Sequence, residues 1–382
     1  MRRLTLVATV LVTVALAASG CREAESPKPT GERPGASTDE SAPLKKRVRK
    51  AIKRGIAYLH DHRGEDGIWD KHPGVTGIVL LAFLKNEEGY NDRQDPFVRE
   101  PVKYLLSLQK PDGAIYQKEL ANYLTAISMQ VLIETKNPAY APAIRRARAY
   151  LVGSQLDKGE GYETSDPGYG GMGYGSTRRP DLSNTQIAAE ALKAAEDAGL
   201  EPDSEAWKRM VVFMSRCQNL SETNTMEWAG DDGGAVYTPW KSQAAQVTLP
   251  DGTTGLRSYG SMTYAFLKSM IYAKISKDDQ RVKAAYEWIQ KNYTLAENPG
   301  MGQQGLFYYY HTMAKALQAW GEDTLVDGSG VAHDWRKELT EKLLSLQRDD
   351  GSWVNATDRW WEASPNLVTA YAVLTLEELL AE

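Results

Sequence analysis

Cysteine is nearly absent from this chain. Two occur in 382 residues, Cys21 and Cys217, which excludes a disulfide framework or a Cys-rich zinc site. An excess of basic charge is also missing. The formal net charge is -5, so there is no basic face of the kind a nucleic-acid partner requires. The Gly/Tyr-rich stretch Gly168–Gly175 has no P-loop lysine, which argues against a phosphate cradle. The first apolar run, Leu4–Ala18, is shorter than the ~20 residues a spanning helix needs.

That short run follows Arg2 and Arg3 and ends in Ala17-Ala18-Ser19-Gly20 before Cys21. A charged head, a short apolar body and small residues describe an export signal over 1–20. Small residues directly before a cysteine resemble a bacterial lipobox. That resemblance implies a lipid-modified Cys21, an exported protein and a membrane anchor in the bacterial envelope. Residues 22–43 are rich in Pro, Ser, Glu, Gly and Thr and almost devoid of large apolar side chains. Such a stretch buries too little to offset its ordering entropy, and a flexible tether is expected. Cys217 is then the lone cysteine of the folded part, on an amphipathic stretch that favours packing.

From Leu44 to the end one pattern recurs. An amphipathic helix leads to a Gly turn with an aromatic residue, and then to a more apolar helix that opens near a threonine: Thr76, Thr125, Thr185, Thr263, Thr312 and Thr369. The second and sixth copies share Leu-Leu-Ser-Leu-Gln, at 105–109 and 343–347. Fixed-period self-similarity is the mark of a repeat architecture. Glycine permits the tight turn, and the glutamine at the end of the outer helix is placed to bond loop backbone. The richer Ala, Leu, Met and Val content of the second helix of each pair predicts two concentric layers. A closed ring hides both ends of such an array. The expected fold is therefore all-α, an (α/α)6 toroid over 44–382 around a central cavity. Long rim loops and a small β-hairpin around Val247–Thr253 complete it.

Gln followed by Asp-Gly-x-Trp, best kept at Gln347 and Asp350-Gly351-Ser352-Trp353, resembles the QW motif of the squalene–hopene and terpenoid cyclases. The same toroid is known in protein prenyltransferase β-subunits and some polysaccharide lyases. The resemblance implies reacting groups at the starts of the inner helices. The cyclase acid motif Asp-x-Asp-Asp-Thr aligns with Asp181-Leu182-Ser183-Asn184-Thr185. Ser183 replaces the proton donor, and a hydroxyl is too weak an acid for that work. The prenyltransferase zinc residues align with Tyr259, Ser261 and His311, a poor ligand set. Neither a metal nor a cofactor is expected.

If the toroid is an enzyme, Asp181, Asp232, His311 and Tyr259 are its candidate catalytic groups. Asn184, Ser261, Tyr308, Tyr310, Trp360, Trp361 and His72 are candidate substrate contacts, all expected near one rim. Helix capping and aromatic packing explain the same residues without chemistry. Three functions stay open: binding or processing of a lipid or isoprenoid-like ligand, a non-catalytic scaffold, and a lyase or hydrolase acting on envelope glycan. The oligomeric state is left open by the sequence.

Overall fold

A computed structural model describes residues 43–175 and 179–381. The export signal, Cys21 and the tether up to residue 42 lie outside the described residues. Twelve α-helices of at least three turns follow one another among them: α1 (Leu44–Asp61), α2 (Pro73–Lys85), α3 (Pro96–Ser107), α4 (Ala121–Glu134), α5 (Ala141–Gly153), α6 (Leu182–Asp197), α7 (Ser204–Ser215), α8 (Gly260–Tyr272), α9 (Gln280–Lys291), α10 (Leu306–Trp320), α11 (Trp335–Leu346) and α12 (Pro365–Leu380). The even-numbered helices close a ring, each packed against the even-numbered helix on either side, with α12 returning to α2. The odd-numbered helices form the outer layer. This is the (α/α)6 toroid the repeats predict.

Side-chain distribution sorts the layers. In α2 every residue from Pro73 to Phe83 is buried, and in α8 every residue from Gly260 to Met270. A helix enclosed on all sides has no use for a polar face. In α1 only the stripe Val48, Ala51, Ile52, Gly55, Ile56 and Leu59 is buried, and its many lysines and arginines face outward or pair with Glu87 and Glu341.

Two recurring hydrogen-bond devices join the layers. The threonine at the start of the inner helix accepts the backbone N–H of the apolar residue in the preceding turn. Trp69 N reaches Thr76 Oγ1 at 3.2 Å, Ile115 N reaches Thr125 at 2.8 Å, Met172 N reaches Thr185 at 3.0 Å, Ala235 N reaches Thr263 at 3.0 Å, and Trp353 N reaches Thr369 at 3.0 Å. The glutamine does more than bond its own loop. Its Nε2 donates both to the carbonyl of the turn glycine and to a carbonyl near the start of the next outer helix. Gln109 joins Gly113 and Ala143, Gln155 joins Gly170 and Ala206, Gln218 joins Gly233 and Arg281, and Gln347 joins Gly351 and Ala51. The last of these fastens the end of the chain to its beginning. An arginine of the next outer helix completes three of the clamps, with Arg146, Arg209 and Arg54 donating to the glutamine Oε1. In the fourth clamp Gln218 Oε1 has no hydrogen-bond partner.

Three features differ from the sequence reading. By its glycines and aromatic residue, Gly159-Glu160-Gly161-Tyr162 reads in the sequence as the turn of the third repeat. Gln155 instead donates to Gly170, so Gly168–Gly171 is the repeat turn and 157–167 is an insertion. A second hairpin, β3 (Thr324–Val326) with β4 (Ala332–Asp334), joins the expected β1 (Gln246–Thr248) and β2 (Thr254–Leu256). The third concerns the start of α10. It begins at Leu306, so Thr312 is its seventh residue, whereas the other five threonines are fourth or fifth in their helices. Thr312 is thus about one turn too deep to reach a rim loop, and its hydroxyl bonds no loop N–H.

The clamp predicts where glycine is indispensable. Gly113 has φ +98°, and a Cβ there would stand 2.3 Å from Arg146 O, whereas Gly67, in the corresponding turn of the first repeat (φ +80°), has open space around it. Chemical denaturation should show Gly113→Ala costing about 2–4 kcal/mol and Gly67→Ala about 1 kcal/mol. Equal costs would mean that the close approach does not hold the layers together.

Candidate functional site

The starts of the inner helices and the loops before them enclose a central cavity of about 360 Å³. Its wall is mostly apolar and aromatic: Val75, Ile78, Leu120, Met262 and Leu367, together with the tyrosines 123, 174, 237, 259, 308 and 371. His72, Ser183, Ser261 and Glu362 supply its other polar groups, and Trp360 and Trp361 stand at the mouth.

Each polar group has a structural task that limits what it offers to a ligand. His72 caps α2 by accepting from Gly74 N and Val75 N through Nδ1, at 3.1 and 3.4 Å. With Nδ1 an acceptor, the proton of the neutral ring resides on Nε2. Burial lowers its pKa, opposed by Asp70, and the ring lies 4.7 Å from that of Trp361. The Ser261 hydroxyl receives Asn298 Nδ2 at 3.2 Å. Glu362, 1% exposed, is the sole carboxyl group among the described lining residues. It accepts Tyr308 N at 2.8 Å, Phe307 N at 3.3 Å and Asn355 Nδ2 at 2.6 Å, and burial raises its pKa. Its charge rests on the N-terminal amides of α10, where a helix favours an anion.

Trp360 and Trp361 are 43% and 54% exposed and both adopt left-handed backbone, at φ +59° and +68°. Two adjacent non-glycine residues in that region cost about 1–2 kcal/mol each. Arg359 holds the turn. Its guanidinium lies 4.3 Å from the Trp360 ring centre and donates to Gln304 and Gln243.

Asp181 lies behind this wall rather than in it. It is 2% exposed and caps α6, with Asn184 N and Asn184 Nδ2 each at 2.8 Å from its oxygens. Burial pushes its pKa up to about 7, against the hydrogen bonds from Asn184 and Tyr237. Tyr237 in turn hydrogen-bonds Tyr174 at 2.8 Å between hydroxyls, and both tyrosines face the cavity. Ser183, aligned with the cyclase proton donor, does line the cavity.

The structure therefore brings together Tyr259, Ser261, Tyr308, Trp360, Trp361 and His72. It sets Asp181 and Asn184 one layer behind them. It does not bring Asp232, Tyr310 or His311 to this cavity. Asp232 accepts Gly234 N and Ser258 Oγ in a repeat turn. The Tyr310 hydroxyl donates to Leu295 O at 2.6 Å. His311 falls in a separate, deeper chamber, a consequence of the early start of α10. Sequence reasoning missed Glu362 and the tyrosines 123, 174, 237 and 371. Tyr371 follows Thr369 by two residues and Tyr123 precedes Thr125 by two, the place Ser183 and Ser261 hold before their own threonines; Tyr174 and Tyr237 each stand two residues after the turn residue that a threonine bonds, Met172 and Ala235.

A toroid of six helix pairs around an aromatic cavity defines the class. Comparison with known proteins adds a family likeness over part of the chain. The family model for the squalene–hopene cyclase C-terminal domain matches residues 73–234. A probable squalene–hopene cyclase from Sinorhizobium fredii is 30% identical over 128 residues, a match covering 29% of this chain and only 19% of that protein. Among solved structures, a variant of the type II terpene cyclase MstE from Scytonema, in complex with geranylgeranyl dihydroxybenzoate, superposes with a TM-score of 0.54 at 13% identity, covering 88% of this chain and 98% of that one. A D-mannose isomerase superposes with a TM-score of 0.56 at 11% identity over 89% and 99% of the two chains. A family 76 glycoside hydrolase from Bacteroides thetaiotaomicron gives 0.54 at 11% identity over 87% and 77%. The family-model match over residues 73–234 and the cyclase relative support a terpenoid cyclase-like family for that part of the chain, and the structural likenesses speak for the fold alone.

The Asp181 carboxyl yields a pH test. A carboxyl whose folded pKa is raised keeps its proton in the native state while the unfolded chain has lost it. Stability therefore falls as pH rises between the unfolded value and about 7. Asp181→Asn removes this slope. Urea titrations at pH 5 and pH 8 should show the native chain losing about 2–3 kcal/mol more than the variant over that interval. Parallel losses would place the Asp181 pKa at its ordinary value.

Proposed function

We propose that the chain binds an apolar, isoprenoid-like molecule in the central cavity. One observation supports this above the rest: a cavity of about 360 Å³ walled by aliphatic and aromatic side chains, with no free cation or unpaired carboxylate in its described lining. Such a wall gains from burying hydrocarbon and offers little to a hydrated substrate. The cyclase-like family is consistent with this reading. Turnover by alkene protonation is a weaker expectation, because Ser183 occupies the donor position and the carboxyl behind it is screened by tyrosines.

Binding is read from tryptophan fluorescence, since Trp360 and Trp361 stand at the mouth. Farnesene presented in cyclodextrin should quench or shift the emission saturably. Met262→Trp, which fills the cavity, should weaken binding more than tenfold. Saturable binding of mannose oligosaccharides, with no response to farnesene, would overturn the proposal in favour of glycan chemistry. A response to neither would favour a scaffold.

We further propose that residues 1–43 export and anchor the toroid through Cys21. A lipid-modified Cys21 should appear in the mass of the intact protein from a bacterial envelope fraction, and Cys21→Ala should release the chain from the membrane pellet. An unmodified Cys21 on a membrane-free protein would refute the anchor.

A further inference from the structure

Beneath the cavity, further along the axis of the ring, lies a second chamber of about 50 Å³. The two compartments share Ile78, Tyr308 and Tyr371 as their partition. The chamber differs chemically from the cavity above. Gln130, Gln186, Glu190, His311 and Lys315 reach it from α4, α6 and α10. Its size admits a group of about one or two water volumes.

Charge here is already balanced. Glu190 accepts from both Lys268 and Lys315, and Lys85 pairs with Glu134 at 3.0 Å. Glu378 also lines the chamber, so Lys85, Lys268 and Lys315 are met by Glu134, Glu190 and Glu378. Burial and the neighbouring Lys315 drive the His311 pKa down, outweighing Glu190, so the ring is neutral. An added anion or cation would be left without a counter-charge in a buried site.

Neutral hydrogen bonding is not balanced. Gln186 is 1% exposed, and its Oε1 makes no hydrogen bond within the protein. His311 Nδ1 is likewise unpartnered. Buried polar atoms in this state are costly, and they cluster where something else supplies the partner.

We propose that the lower chamber receives the hydroxyl terminus of the ligand, whose hydrocarbon body fills the aromatic cavity above. The ligand is then an isoprenoid alcohol rather than a hydrocarbon, an acid or a phosphate ester. A hydroxyl is neutral, small, and both donates and accepts. It can donate to the unpaired Gln186 Oε1. This inference rests on the proposed binding of apolar ligands in the cavity.

The test compares farnesol, farnesene and farnesoic acid on the full-length protein by tryptophan fluorescence, with Gln186→Met as the variant. Methionine keeps the volume and removes the polar amide. Removing an unpaired buried group should leave the melting temperature unchanged or higher, so a folding failure is not expected and is checked directly. Farnesol should bind at least tenfold more tightly than either analogue. In Gln186→Met that preference should shrink below about threefold, with farnesene affinity unchanged. Farnesene or farnesoic acid binding as tightly as farnesol would overturn the inference and leave cavity binding standing. A tenfold preference that survives in Gln186→Met would overturn it as well. Absence of binding by all three probes would overturn both this inference and the cavity reading beneath it.

Discussion

A threonine hydroxyl in the first turns of five of the six inner helices takes the backbone N–H of the loop before it. The same hydroxyl also donates to backbone carbonyls: to the helix's own first turn at Thr125, Thr185 and Thr263, and to the loop residue itself at Thr76 and Thr369. This small two-way bond determines where each rim loop sits relative to the helix it introduces. The glutamine clamp depends on it, because the turn glycine must be held close to the next outer helix for one amide group to span both. Part of the cavity depends on it in turn, because Val75, Tyr123, Ser183, Ser261, Met262, Leu367 and Tyr371 lie within a turn of those threonines.

These devices are local and chemically particular, and so they are legible in sequence. Thr, Gln and Gly recur at consistent places in the repeats because each satisfies backbone groups that would otherwise be buried unpaired. The ring and the two layers followed from them. The cavity wall was less legible. Tyr123, Tyr174 and Tyr237 come from three different repeats, and only the closed ring brings them together. Glu362 belongs to the loop before α12, and its task of receiving the amides of α10 is set by tertiary packing rather than by any local pattern. His311 was placed at the rim by the neighbouring threonine. The helix starts early, and its register overrides the motif.

The positions that break the repeat coincide with the positions that give the interior its chemistry. The fifth unit lacks the threonine bond and in exchange extends α10 upward. That extension carries Tyr308 to the partition and His311 below it. The third unit inserts 157–167 before its true turn, and the loop that follows delivers Tyr174 to the hydroxyl pair in front of Asp181. A regular ring would have a uniform apolar lumen. Departures from regularity divide this one into an aromatic upper compartment and a polar lower one. Natural folds tend to violate their local rules at such functional places.

The bond from Gln347 to Ala51 closes the circle with residues 296 positions apart. During synthesis the first helices therefore wait for almost the entire chain before their last flank is covered. Until α12 arrives, α2 presents to solvent a face that is fully apolar in the finished protein. Long-range closure of this kind slows folding and exposes intermediates to aggregation. The same closure makes the break in the ring arbitrary. New termini cut into an exposed outer turn such as the one at Gly67, with the old ends linked, would leave every clamp intact.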